Sequence, residues 1–399
     1  MEKIGPYIKK YVKGKTPPSL FCEQDNGQLV PYLSPDFLRG KCSPEQYTTC
    51  SKNTVFVNDG EVIVLWDGSN AGEILISKTG ILASTMTMLV FDESELEKKY
   101  IGYVFQNLEY ILKAKTAGSG IPHADKGIIN NLEFYRPEKS KQVAIANLLS
   151  KVDEAVASVQ NSIDAAERLK KSLMQNLLTG KMKPDGTFRT PEEFYTDEKF
   201  GKVPVGWKCE KLKDIAIIRR GKFSHRPRND ERFYNGEYPF VQTSDVVESV
   251  LYLKGASQSL NELGASVSKC FPRNTIIMTI AANIGYVTLA QYEVYFPDSL
   301  IGINANENII NPMYLLFQLM GYKNVLDALA TESAQKNINY SNLRPLTILL
   351  PTNLEEQLQI TKRIIMVFNE IECKKSKILI LERLKRSLMQ NLLTGKYNR

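Results

Sequence analysis

Residues 167–181 read ERLKKSLMQNLLTGK, and residues 382–396 read ERLKRSLMQNLLTGK. The copies lie 215 residues apart and differ only at Lys171 versus Arg386, so the chain is built on an internal duplication. The repeat extends backwards as a pattern of apolar positions. In the first copy these are Ile145, Leu149, Val152, Val156, Val159, Ile163, Ala166, Leu169, Leu173 and Leu177. Their counterparts are Ile360, Ile364, Val367, Ile371, Lys374, Ile378, Leu381, Leu384, Leu388 and Leu392, apolar except at Lys374. Steps of mostly alternating fours and threes make a heptad seam. Gln142 matches Gln357, Pro137 and Pro351 precede the two stretches, and Gly180 and Gly395 stand where a helix needs a left-handed terminator. Each half therefore ends in a helix of about 40 residues, roughly 60 Å long. Neither helix can bury its stripe alone, which predicts that the two pack on each other antiparallel. The expected helix-pair interface is Ile145, Leu149, Val152, Val156, Ile163, Leu173, Leu177, Ile360, Ile364, Val367, Ile371, Ile378, Leu388 and Leu392.

Ahead of each helix lies a globular segment, and the two echo each other. NAGEILISK at 70–78 matches NIGYVTLAQ at 283–291, VPYLSPD at 30–36 matches YPFVQTSD at 238–245, and KKYVKGK at 9–15 matches IIRRGKF at 217–223. The order of these signals is the same in both halves. Short β-branched runs such as 62–64 and 275–280 predict strands, and helical stretches are expected near 94–115 and 312–330. The fold class expected is α+β, with two mixed α/β globules, two long helices packed as an antiparallel coiled coil, and a pseudo-twofold repeat. The boundaries expected are a first globule at 1–138, a spacer helix at 139–181, a second globule at 208–352 and a second helix at 353–396. Residues 182–207, rich in Pro, Gly and acids, read as a linker.

The composition sets limits. The chain has 399 residues, too many for one compact core, with ordinary apolar (43%) and charged (24%) fractions. No run of eighteen apolar residues indicates a membrane span, and the first fifteen residues have no apolar signal region, so a cytoplasmic protein without a membrane partner is expected. Cysteines at 22, 42, 50, 209, 270 and 373 form no C-x-x-C pair, and His123 and His225 are the only histidines; no metal site is expected. The net charge of +7 is uneven: residues 1–15 carry five Lys against one acid, and 208–236 carry nine Lys or Arg against four. These basic runs fall at matching places in the two halves and suit an anionic partner.

Together these features resemble the specificity subunits of type I restriction-modification systems. The helix end SLMQNLLTGK, the segment GKVPVGW at 201–207 and PFVQTSD at 239–245 carry the likeness, which spans nearly the whole chain. One departure is that the first globule lacks a P-x-G-W segment before it. The resemblance implies a non-catalytic subunit that recognises a bipartite, asymmetric target on double-stranded DNA. It also implies two methyltransferase subunits and restriction subunits as partners. S-adenosylmethionine, ATP and Mg would be held by those partners, with no cofactor in this chain.

The candidate phosphate contacts are Lys9, Lys10, Lys13, Lys15, Arg219, Arg220, Lys222, His225, Arg226 and Arg228. The candidate base readers are short polar residues beside a strand, Tyr32, Ser34, Gln242, Thr243 and Ser244, and polar residues in the loop before each helix, Ser119, His123, Lys336, Asn337 and Asn339. A self-contained methyltransferase is opposed by the lack of an N-P-P-[YF] loop, since Asn311-Pro312-Met313 reads as a helix start. A Walker loop is opposed because Gly14-Lys15-Thr16 has no glycine five residues earlier, and Pro297-Asp298 has no D/E-x-K partner of a nuclease. The remaining alternative is a coiled-coil scaffold whose globules bind protein; it predicts no salt-dependent affinity for DNA.

Overall fold

The structure is a computed structural model. It describes residues 1–22, 29–116, 122–198, 201–225, 228–281, 283–330, 338 and 343–396, although the side chains of 116 and 327–330 are not described. Of the expected site residues, Ser119, Arg226, Lys336, Asn337 and Asn339 lie outside the described residues. The chain divides into two compact units, Met1–Ser162 with Lys374–Arg399, and Ile163–Cys373.

In the first unit the strands are β1 (Glu2–Lys3), β2 (Ile8–Lys13), β3 (Val30–Leu33), β4 (Tyr47–Thr48), β5 (Phe56–Val57), β6 (Val62–Leu65), β7 (Ile74–Ile76), β8 (Gly80–Leu82), β9 (Met86–Phe91) and β10 (Glu133–Phe134). They form an antiparallel sheet ordered β2-β9-β6-β7, a smaller sheet β4-β3-β8-β5, and the pair β1-β10. In the smaller sheet β3 and β8 run parallel. The expected helical stretch is Lys98–Thr116.

The first strands of the second unit form a hairpin, β11 (Phe194–Asp197) with β12 (Gly201–Pro204). Ten strands follow: β13 (Trp207–Lys211), β14 (Ala216–Arg220), β15 (Tyr234–Phe240), β16 (Gln258–Leu260), β17 (Cys270–Phe271), β18 (Thr275–Thr279), β19 (Val287–Leu289), β20 (Val294–Tyr295), β21 (Leu300–Ala305) and β22 (Thr347–Pro351). Their sheets are β14-β21-β18-β19, β16-β15-β20-β17 and β13-β22. Strand for strand and in the same order, β13–β22 repeat β1–β10, down to the parallel pair of β15 with β20. The short β1 does for the first unit what the five residues from Trp207 do for the second.

Burial explains the strand sequences. All four residues of β6 and all five of β18 are buried, because their sheet is covered on both faces. Side chains alternate: Val62 and Val64 join the helix-side core, while Ile63 and Leu65 join the core under the smaller sheet. In the second unit Ile276 and Met278 face one core and Ile277 the other.

The two long helices run Lys139–Leu178 and Leu354–Leu392. In the first unit Ile145 and Leu149, near the start of one, share a core with Leu388, Met389, Leu392 and Leu393, at the end of the other. In the second unit Leu173 and Leu177 share a core with Ile360 and Ile364. Start meets end in both, so the helices pair antiparallel. Val152, Ile163, Val367 and Ile371 are buried as well, and Val156 and Ile378 half-buried. Leu169 (49% exposed) and its counterpart Leu384 (46%) leave the stripe, since a straight 3.6-residue helix drifts off a strict heptad over this length. The seam is also not purely interhelical: Ile145 and Leu149 share the same core with Tyr100, Val104 and Phe105 of their own globule.

One side chain ties each helix start to its globule. Gln142, fully buried, donates from Nε2 to the carbonyls of Pro137 (2.9 Å) and Glu95 (3.1 Å) and accepts at Oε1 from the Glu97 amide (2.9 Å). Gln357 repeats this with the carbonyls of Pro351 (2.9 Å) and Ile309 (3.1 Å) and the Asn311 amide (2.8 Å). Asn311 in turn caps Pro312–Gly321.

The segment 182–207, a linker on composition, carries contacts that fix it in place. Arg189 donates to the Gly180 carbonyl (2.7 Å), pairs with Glu356 and lies 5.4 Å from the Trp207 ring centroid. Trp207 Nε1 also donates to Glu356 (3.1 Å).

Candidate nucleic-acid interface

In each unit the strand carrying the first basic run must cross a turn of the smaller sheet at very close range. A Cβ on Gly14 would lie 2.0 Å from the Ala83 carbonyl oxygen, and one on Gly221 would lie 2.2 Å from that of Pro297. Only glycine fits, and the main chain is drawn in: the Gly14 amide donates to Met86 O and the Gly221 amide to Leu300 O. The crossing carries Lys15 and Thr16 past the Ala83–Ser84 turn, and Arg220 and Lys222 past the Phe296–Asp298 turn. Thr16 Oγ1 donates to Ser84 Oγ (3.2 Å), and Arg220 Nε donates to the Asp298 carbonyl (2.6 Å). In the first unit this turn also meets Tyr32, whose phenol hydrogen-bonds the Ser84 backbone.

The segment ahead of each long helix arrives by another strand end. Asp67 forms a β-bridge with His123, and the Ala124 amide donates to Trp66 O (2.8 Å). In the second unit the Ile338 amide donates to Ile280 O (3.0 Å) at the matching place.

Charge is redistributed by pairing. Lys13 meets Asp67 (2.9 Å), which also hydrogen-bonds His123 Nδ1 (2.7 Å). Burial opposes ionisation of Asp67, but the Lys13 and His123 bonds hold its carboxyl below the usual range. Lys9 pairs with Asp92, whose carboxyl is lowered to about 2 by hydrogen bonds from Ser94 and Lys9. Lys10 and Lys15 are exposed and make no ion pair among the described residues. In the second unit Asp230 is held well below the usual carboxylate range, first by Arg232 and also by His225. His225 lies stacked on Phe233, with centroids 4.1 Å apart, and Arg228 pairs with Asp298.

The candidate base readers divide. Ser34 Oγ accepts from the Phe37 amide and caps Pro35–Leu38 (3.2 Å). Gln242 stands at the same point before Thr243–Glu248, and its Nε2 donates to Gln258 Oε1 (2.9 Å). Tyr32 and Thr243 are half-buried, and burial pushes the Tyr32 phenol up. Ser244 alone of this group is exposed with its hydroxyl uncommitted among the described residues.

Cations that the sequence reading passed over also line these surfaces. Lys126 Nζ lies 5.1 Å from the centroid of Tyr11, which packs edge-on against Trp66. Lys269 lies 5.8 Å from the Phe271 centroid, and Arg219 5.3 Å from the same ring. Lys126 and Lys269 sit outside the dense basic runs, so a scan for charge density could not find them; an aromatic two residues from a lone lysine, as in Lys269–Phe271, is the signal available. Among the described residues no group of three His, Cys, Asp or Glu could hold a metal ion, and no helix is long and apolar enough to cross a membrane.

Two homologous globules on an antiparallel helix pair, each presenting cations around a sheet end, define a class of duplicated DNA-reading proteins. The sequence model of the Type I restriction modification DNA specificity domain matches residues 7–168 and again 204–383. The chain belongs to the family of type I restriction-modification specificity subunits, the DNA-specificity components that carry no catalytic centre. It is 30% identical to the type I restriction enzyme MjaVIII specificity subunit of Methanocaldococcus jannaschii, over 99% of this chain and 92% of that protein. A putative MjaX specificity subunit of the same organism is 24% identical over 80% of this chain and 73% of its own length. Among solved structures, the fold is similar to the type I S subunit from M. genitalium (TM-score 0.61, 15% identity, 98% of this chain and 95% of that one). It is also similar to a chain from a study of type I R-M complex assembly and conformational transition (TM-score 0.57, 15% identity, 99% and 97%).

Proposed function

We propose that the two globules read different half-sites of one bipartite, asymmetric duplex target, and that the paired helices fix the unread gap between them. The observation that carries this reading is the strand-for-strand repeat β1–β10 and β13–β22 with unlike side chains at matched surface positions. A shared scaffold presents both readers in the same way, and their differing residues make the half-sites differ. Residues 1–138 and 208–352 are the recognition domains, 139–181 and 353–396 the spacer helices, and 182–207 the connection. Lys10, Lys15, Arg219, Arg220 and Lys222 face phosphates, and Ser244 faces a base edge. The chain works in the cytoplasm with two methyltransferase subunits that bind S-adenosylmethionine, and with restriction subunits that use ATP and Mg.

Genome-wide mapping of methylated bases in cells with and without the chain tests this. A split motif with two different halves should vanish on deletion. An unchanged methylation map, or loss of a continuous palindrome, would overturn the reading.

A further inference from the structure

We propose that Arg219 and Lys269, both over the Phe271 ring, together with Lys222 beside Lys269, form a seat for one phosphodiester of the DNA backbone, built into the second globule only. The inference rests on the DNA-reading function above and adds to it a particular contact and an asymmetry between the heads.

The seat depends on concerted differences between the repeats. Arg219 on β14 is opposite Gly302 on β21, and their counterparts Val12 and Met88 are opposite each other on β2 and β9. A Cβ at Gly302 would lie 2.4 Å from Phe271 Cδ1, so the missing side chain makes room for the ring. Phe271 stacks on Phe296 with centroids 3.9 Å apart, and stands where the first globule has Val57. Lys269 stands where the first globule has Val55. The ring thus receives two cations, at 5.3 and 5.8 Å, that the first globule lacks. Lys222 comes from the segment whose carbonyl accepts from Ser268 Oγ (2.7 Å), next to Lys269.

No carboxylate balances these charges: none of the three forms an ion pair among the described residues. Among the described residues Arg219 bonds only the Asn304 side-chain oxygen (3.3 Å), and its buried Nε has no partner there. Burial first, then the Arg219 and Lys222 charges, depress the Lys269 ammonium below its usual value. Three like charges held together are unfavourable unless an anion joins them. A phosphodiester supplies the charge and several acceptor oxygens at once.

The test is the salt dependence of binding to a random-sequence duplex by the full chain co-purified with its methyltransferase subunits. The double variant Lys222→Gln/Lys269→Gln should lower the slope of log affinity against log salt by about 0.9, the value of one phosphate contact. The pair Lys222→Arg/Lys269→Arg should restore the slope. The methylated motif should stay the same, and the melting temperature of the glutamine variant should be unchanged or raised, since repulsion is removed. An unaltered slope, an equal loss in the single-lysine surface control Lys202→Gln, or a melting temperature that falls with the slope would overturn the seat alone. Absence of salt-dependent binding in the wild type would overturn the DNA-reading function and the seat together.

Discussion

Replacing Gln357 by Leu removes three hydrogen bonds without removing much volume. The change leaves the carbonyls of Pro351 and Ile309 and the amide of Asn311 without partners at a side chain that is fully buried. An unsatisfied buried polar group costs about 1–3 kcal/mol. The Pro351 contact is fully buried and the other two partly so, which puts the total at about 3–5 kcal/mol. For a unit of this size that is a drop of roughly 6–20 °C in melting temperature. Hydrogen exchange read peptide by peptide gives the local form of the same test. The segments at 306–321 and 351–364 should lose protection first, because Gln357 joins the start of the second long helix to the cap of Pro312–Gly321. Gln357→Glu adds a sign test. A buried carboxylate facing two carbonyls has its pKa raised, so the variant is most stable when protonated, below the unfolded value of about 4.3. It should lose stability as pH rises from there. A cost below about 1 kcal/mol for Gln357→Leu, or a glutamate variant that gains stability with pH, would refute this account.

Arg189→Ala should cost about 2–4 kcal/mol by calorimetry, because it strips the Gly180 carbonyl, Glu356 and the Trp207 ring of one shared partner. Tyr103→Phe should cost about 1–2 kcal/mol in denaturant unfolding, since Tyr103 Oη donates to Asp153 (2.7 Å), the partner of Lys385. Acid titration should show stability present above about pH 4 and lost as pH falls towards the depressed values of Asp67, Asp92 and Asp230, with Asp92 titrating at about 2; circular dichroism against pH reads this. One added turn in both long helices, about 5.4 Å, should widen the gap in the methylated motif by roughly one to two base pairs while leaving both halves intact.

The helix pair was legible because its signal is local and doubled. Identity across 167–181 and 382–396, with apolar positions at heptad spacing, is enough to require two long helices with one face to bury. The buried strands were legible in the same way, as β-branched runs at 62–64 and 275–280. What tertiary structure alone decided is the charge that each head presents. Lys9 and Lys13 read as phosphate contacts in a basic run, yet register sets Lys9 beside Asp92 and Lys13 beside Asp67, residues 83 and 54 positions away. Sheet pairing places such partners, and no local pattern encodes them. For the same reason Lys269, a single cation between Ser268 and Cys270, became visible only when Gly302 let Phe271 bring it beside Arg219.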